Sequence, residues 1–464
     1  MKSKFFIVVL FLASMTIPYS CRKDKLPKPA IRDFDQLLID KEITAITFPG
    51  SISYFIYKGE AMGYEYELLE DFASSYGLKI NVKIAENETR LTEMLLAGEG
   101  DLIACKIPVT NKLKKKLLYC GRESVNEQVL VQKSISRDSI LKDVTDMIGK
   151  EIWVVKGSRQ YHRLVNLNQE LGGGIIIREI GIDTVTVEDL IGMVYAGEIK
   201  YTISDYDIAK LNRTYYPKLD LALRISHPQR SSWAVNRSSP LLAEVLDQWF
   251  SQNKNTPRYQ AIMKRYFEMS KLPGDEPAPV LSENRISLYD DLFKKHSKTI
   301  GWDWRLLASI AYQESKFDTL TVSWAGASGL MGLMPGTARA HGLDPELRVN
   351  PERSIRASVK YISELKKIFS DFTNEDEKIK FILASYNAGL GHIFDGQALA
   401  RKLGKDPQTW DKNVEECLKL KRFPEYYNDT VCKFGYFRGT ETINYVDHVV
   451  ERWHYYQKKG KNKK

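Results

Sequence analysis

The stretch 271–283 divides the chain into two unlike parts. It packs Pro273, Gly274, Pro277 and Pro279 into a short span that no helix or sheet would tolerate. Before it, from Ile43 on, apolar strand-like runs alternate with helical ones. Strands are expected over 43–48, 78–84 and 101–105, and helices over 63–77, 89–97 and 241–266. Gly77 and Gly98 stand as helix stops. That alternation predicts an α/β sheet. After the break the pattern turns helical, with a helix over 286–296 and a second, capped by Asp303, running to Glu314. Leu307, Ile310 and Ala311 give this second helix an apolar stripe. The fold class expected is therefore multidomain, an α/β module followed by an all-α domain.

A chain of 464 residues has room for such a pair. Its 68 Lys+Arg against 59 Asp+Glu leave a net charge of +9, too thinly spread to indicate a nucleic-acid partner. The basic run 458–464 reads as a solvated end. At the other terminus Lys2 and Lys4 precede an apolar run over 5–17, then Ser20 and Cys21. This resembles a bacterial lipoprotein signal. The resemblance implies a signal peptide over 1–20, lipidation of Cys21 and a lipid-anchored tether over 21–38. An ordinary secretory peptide or an uncleaved anchor is the alternative. Either way the chain leaves the cytoplasm, where disulfides are permitted. Cys105–Cys120 and Cys417–Cys432, each close in sequence, are the expected pairs. Their spacing does not suit a zinc site.

Within the first module, Gly63-Tyr64-Glu65, then Ala97-Gly98-Glu99-Gly100-Asp101, then Val109-Thr110 stand in order. They resemble the family 3 periplasmic solute-binding proteins, which implies a two-lobed module over 39–271. Asp205 then matches the aspartate that receives an amino group. Thr110 and Ser158 join it as candidate ligand-binding residues, although Ser158 and Asp205 read equally as capping or strand-end residues. Where amino-acid binders carry an arginine to clasp a carboxylate, three residues after the threonine, this chain has Leu113. The expected ligand is accordingly a muropeptide or stem peptide and not a free amino acid.

Beyond the linker, expected over 272–284, the domain 285–464 carries four ordered motifs. They are Glu314-Ser315, Ser328-Gly329-Leu330-Met331-Gly332-Leu333-Met334, Tyr386-Asn387-Ala388-Gly389, and Glu441 through Tyr445. They resemble the soluble lytic transglycosylases of glycoside hydrolase family 23, which implies a lysozyme-like catalytic domain acting on peptidoglycan glycan strands. Glu314, at the end of an apolar stripe, is the expected catalytic acid, since desolvation favours a protonated carboxyl. Ser328, Gly329, Met331, Met334, Tyr386, Asn387 and Tyr445 are the expected substrate-binding residues. Tyr445 resembles the tyrosine that hydrogen-bonds the catalytic glutamate, and the two methionines read equally as core. Gly332 departs from the family, which has glutamine there.

Ordinary glycosidases need two carboxyls. The motifs supply one, with Asp318 read as structural. The resemblance therefore implies a lytic transglycosylase that needs no cofactor or metal. It would cut between N-acetylmuramic acid and N-acetylglucosamine and leave 1,6-anhydro ends. A hydrolytic muramidase and a non-catalytic peptidoglycan-binding lipoprotein are the alternatives. Arg22 and Lys23 replace the aspartate that marks inner-membrane retention, so the expected location is the periplasmic face of the outer membrane.

Overall fold

A computed structural model describes residues 31–459, apart from 86–87, 135–139, 182–184 and 270–284. Cys21, the signal peptide and the linker 272–284 lie outside the described residues. The expected tether to residue 38 is cut short by the helix Phe34–Asp40. Asp33 caps it, and Phe34 and Leu37 bury against the first lobe.

The first module is two-lobed, as expected. Lobe one holds a five-stranded sheet in the order Lys79–Ile84, Glu42–Thr47, Leu102–Pro108, Gln229–Asn236, Leu117–Asn126. Its first three strands are parallel, and the Gln229–Asn236 strand runs antiparallel to both neighbours. Lobe two holds a second sheet in the order Leu219–Asp220, Gln128–Lys133, Tyr201–Asp205, Glu151–Val155, Ile176–Ile180. The chain passes between the lobes at Glu127 and again over 226–228, beside the extended strands that flank each crossing.

Two expectations need correction. The helix expected over 241–266 is two helices, Pro240–Asn253 and Pro257–Phe267. Proline has no N–H for a helix interior and disfavours helical backbone before it, so the chain breaks at Thr256, which then caps the second helix. None of Cys105, Cys120, Cys417 and Cys432 is joined in a disulfide. The strands carrying Cys105 and Cys120 are separated by a third. Two strand spacings, roughly 9.6 Å, exceed what a disulfide can span. Cys417 stands beside Lys405 and Glu416, while Cys432 stands beside Asp395 and Lys421, so the second pair face different surroundings.

The second domain is helical. Trp304–Ser315 is packed by the long helix Gly439–Lys459 and by Asp290–Ser297. Leu306, Leu307, Ile310, Phe381 and Trp410 are among its fully buried core. The core of lobe one continues into this domain, because Trp324, Ala325, Ala327 and Met334 pack with Met62, Tyr64 and Tyr266.

Candidate active site

Asp303 accepts a hydrogen bond from the Arg305 N–H at 3.0 Å and starts the helix as expected. The helix ends abruptly. Lys316 and Phe317 take φ of +54° and +69°, a region that side chains rarely adopt. Glu314 therefore sits in the last turn, its side chain only 7% exposed. The loop after it folds over the carboxylate. At Gly332, φ is +58°, and a Cβ there would stand 2.2 Å from Glu314 Oε2. The departure from the family glutamine thus has a steric counterpart, since Glu314 occupies the space a side chain would need.

The expected substrate residues divide into two groups. Asn387 and Tyr445 border the cleft, whereas Met334 is buried in the core shared with lobe one. Asn387 Oδ1 accepts from Thr442 at 2.7 Å and lines a small cavity with Tyr57 and Glu441. Burial, followed by the Glu314 charge, holds the Tyr445 phenol well above its ordinary pKa. The two groups lie close enough to interact, but neither Tyr445 Oη nor Glu314 Oε1 makes a hydrogen bond of ordinary geometry among the described residues. The remaining residues serve the scaffold in this arrangement. Met331 is fully buried in the core, its carbonyl accepting from Tyr386 Oη at 2.7 Å. Tyr386 also bonds Ser358 at 2.9 Å. Gly329, at φ +75°, lies so close to the Arg348 carbonyl that a Cβ would be 2.2 Å away. Buried Ser328 donates its N–H to Leu333 O at 3.0 Å. Asp318 accepts from the Leu320 N–H at 2.9 Å and contacts Thr321, which ties it into a turn.

Sequence reasoning missed what fills the cleft. A hairpin of lobe one, Phe55–Tyr57 paired with Glu60–Met62, is inserted there. Its two-residue loop is Lys58-Gly59, with φ of +50° and +81°. Such loops favour Asn or Gly at the first position, so lysine there costs backbone energy. Its side chain accounts for its presence: Lys58 Nζ donates to Glu314 Oε2 at 2.9 Å, with both side chains 7% exposed. Tyr57 and Phe55 pack on Trp324, with ring centroids 5.2 and 6.4 Å apart. Glu60 accepts from the Gly336 N–H at 2.9 Å, and His392 Nε2 lies 3.3 Å from the Ile56 carbonyl oxygen. At Gly389 a Cβ would stand 2.6 Å from Gly59 N, so the hairpin tip lies against the start of the helix Leu390–Lys402. The signal was present locally, as a glycine turn between short apolar runs, but nothing in it pointed to Glu314.

Lobe two also touches the helical domain. Arg422 donates to Asp189 at 2.8 Å, while Arg438 lies 3.3 Å from Glu188 and donates to Asn212 at 3.0 Å.

At the interlobe cleft, Asp205 is buried and accepts from Arg159 at 2.8 Å and Gln160 at 3.3 Å. Burial raises its pKa. Ser158 and Thr110 cap helices, accepting from the Tyr161 and Leu113 N–H groups. The cavity beside Asp205 is only about 40 Å³, lined by Lys106, Gln128, Arg159 and Arg230 among others. Lys106 bridges the lobes to Asp207 at 2.8 Å.

Residues 291–408 match the model of the transglycosylase SLT domain, and residues 45–269 that of the bacterial extracellular solute-binding proteins, family 3. The chain is 31% identical over 413 residues to the membrane-bound lytic murein transglycosylase F of Desulfosudis oleivorans, covering 88% of each chain. It is 30% identical over 417 residues to the protein of the same name from Pseudomonas fluorescens, covering 88% of this chain and 83% of that one. Among solved structures, an ancestral cationic amino acid solute binding protein is 18% identical, covers 50% of this chain and 99% of its own, and superposes with a TM-score of 0.44. With a relative this similar spanning both modules, the chain belongs to the membrane-bound lytic murein transglycosylase F family.

Proposed function

We propose that this chain is a murein lytic transglycosylase that uses Glu314 as its sole acid and base, and that the hairpin at Lys58 holds it inactive in the arrangement described. One observation carries the reading. A motif carboxylate buried at a helix end finds its counter-ion, among the described residues, in a lysine brought by the other module. Glu314 gives its proton to the glycosidic oxygen as the bond from muramic C1 breaks. The substrate's N-acetyl group supports the developing positive charge. The carboxylate then takes the proton of the muramic O6 hydroxyl as O6 bonds to C1, which closes the 1,6-anhydro ring without water. Asp318 is tied into its turn and unsuited to activating water.

The second reading, hydrolysis, gains one feature from the fold. Glu441 lines the cavity beside Tyr57 and Asn387, so a second carboxylate stands in the cleft. Digestion in heavy-oxygen water separates the two: unlabelled products one water lighter support the transglycosylase, and a labelled new end supports a muramidase with Glu441 as its base.

The first module is read as a sensor for muropeptides or stem peptides, because both lobes contact the catalytic domain. The mature chain is read as lipid-anchored through Cys21 on the periplasmic face of the outer membrane. Among the described residues no helix is long and apolar enough to cross a membrane.

A further inference from the structure

His392 belongs to a charged cluster in the catalytic domain that the proposed reaction does not use. Lys421 has no solvent exposure and His392 only 1%. Lys421 Nζ donates to Asp395 Oδ2 at 2.6 Å and lies 2.9 Å from His392 Nδ1. Asp395 also accepts from the Lys433 and Phe434 N–H groups, each at 2.9 Å. Four donor hydrogens thus converge on one carboxylate and one ring nitrogen. An ammonium can only donate, so Nδ1 must be the acceptor and the imidazole proton must sit on Nε2. Phe437 stacks on the ring with centroids 4.2 Å apart and fixes its plane. The outcome is one oriented N–H that faces the cleft.

That N–H meets the Ile56 carbonyl of the hairpin at 3.3 Å. Ile56 is two residues from Lys58, a span of roughly 7 Å in an extended strand. His392 therefore faces the cleft about one sugar step from the group that holds Glu314. The partner now present is an amide carbonyl, a group that murein offers along the strand in the N-acetyl substituent of glucosamine and in the lactyl-peptide link, the muramic N-acetyl being engaged at the reacting centre. Burying a lysine and an aspartate carries a desolvation cost. Such a cost is out of proportion to one long contact with a hairpin, whereas a preset donor for substrate accounts for it.

We propose that His392 is a substrate-binding residue of the glycan cleft. Its Nε2–H donates to an amide carbonyl of the murein strand where the Ile56 carbonyl now lies, and Lys421 and Asp395 hold it in that tautomer. This rests on the transglycosylase reading but not on its anhydro product.

The test uses the full chain with Lys58→Ala, so that loss of the hairpin contact does not mask loss of a substrate contact. Into it are placed His392→Leu and His392→Gln, whose amide N–H can replace Nε2–H. Rates are measured on soluble glycan strands that are intact, stripped of peptide by an amidase with the lactyl carboxyl then reduced to the alcohol, or de-N-acetylated on glucosamine. Thermal melting of each variant checks folding. The expected result is a fall in kcat/KM of about tenfold for His392→Leu, mostly in KM, and recovery of most of it by His392→Gln. The gap between histidine and leucine should close on whichever strand lacks the accepted carbonyl, which identifies its source. A His392→Leu rate equal to or above its parent would make His392 part of the hairpin latch alone. Equal losses for leucine and glutamine would make it scaffold, and a gap unchanged on both altered strands would show that no such carbonyl is received. Each of these three results overturns the proposal. Retention of a tenth or more of the rate in the Glu314→Gln chain would instead count against the proposed reaction itself.

Discussion

Glu314 carries every proton transfer in the proposed reaction, so Glu314→Gln should remove activity while keeping the shape of the side chain. General acid–base catalysis is worth roughly 10²–10⁴-fold, and here one residue fills both roles. Turnover of murein strands should fall by at least about a hundredfold, with the melting temperature held close to that of the parent. Retention of a tenth of the rate would assign the chemistry elsewhere. Gly332 is the second residue to test. A Cβ there collides with Glu314 Oε2 and must be carried at φ +58°. Gly332→Ala should therefore displace the carboxylate and cost roughly 1–2 kcal/mol of stability through the left-handed backbone alone. Denaturant melts would read the stability loss, and murein assays a fall in rate. At this scale the motifs made Glu314, Asn387 and Tyr445 legible, because contiguous residues build the cleft walls. They also named Met331 and Tyr386, which the fold uses as core and strut. A motif shows that a residue is required and not which way its side chain points. Lys58 stayed hidden because its partner lies 256 positions away in the chain.

The hairpin Phe55–Met62 is the element on which control of the cleft rests. Its strands are three residues each, too short to be stable alone, and its aromatic side chains Phe55 and Tyr57 pack on Trp324 across the domain boundary. Removing one partner of a buried ion pair typically costs roughly 3–5 kcal/mol, since the other charge is left without a counter-ion. Lys58→Ala places that cost on the closed arrangement alone, because Glu314 is hydrated once the cleft opens. The expected outcome is an increase in murein turnover of at least fivefold, measured by release of soluble products. A rate unchanged or lower would show that Lys58 does not restrain the enzyme. Most other elements were legible. Strands expected over 43–48 and 78–84 occur as Glu42–Thr47 and Lys79–Ile84, and the helix expected over 63–77 occurs as Tyr64–Ser75. The helix placed over 286–296 begins later, at Asp290, whose side chain accepts from the Ile286 and Ser287 N–H groups and caps a turn before the helix. The hairpin was missed because three-residue strands leave too little alternation to read.

Across the whole molecule, the catalytic domain is held by both lobes of the first module. Lobe one contributes the hairpin and a shared apolar core, and lobe two contributes Glu188 and Asp189 to Arg438 and Arg422. The lobes are joined by their two crossing segments, by the Lys106–Asp207 and Ser51–Glu188 contacts, and by Leu211, which packs into the core of lobe one. A ligand that rotates one lobe against the other cannot leave both attachments intact. It shifts the balance toward the open enzyme only as far as it binds that arrangement more tightly. The lobe-two contact can be tested without knowing the ligand. The Arg422–Asp189 pair is about a quarter exposed on each side, and such pairs contribute roughly 0.2–1 kcal/mol. Arg422→Ala should therefore raise murein turnover modestly, by no more than about fivefold at 1 kcal/mol, and the gain should shrink as salt screens the pair in the parent. In the Lys58→Ala chain the same substitution should add little, because an arrangement already emptied cannot be emptied further. Arg438 is enclosed by Glu188, Asn212 and the Tyr215 ring, so Arg438→Gln should act more strongly than Arg422→Ala. If Arg422→Ala and Arg438→Gln both leave the rate at its parent value, lobe two plays no part in holding the cleft, and any ligand signal must pass through lobe one and its hairpin alone.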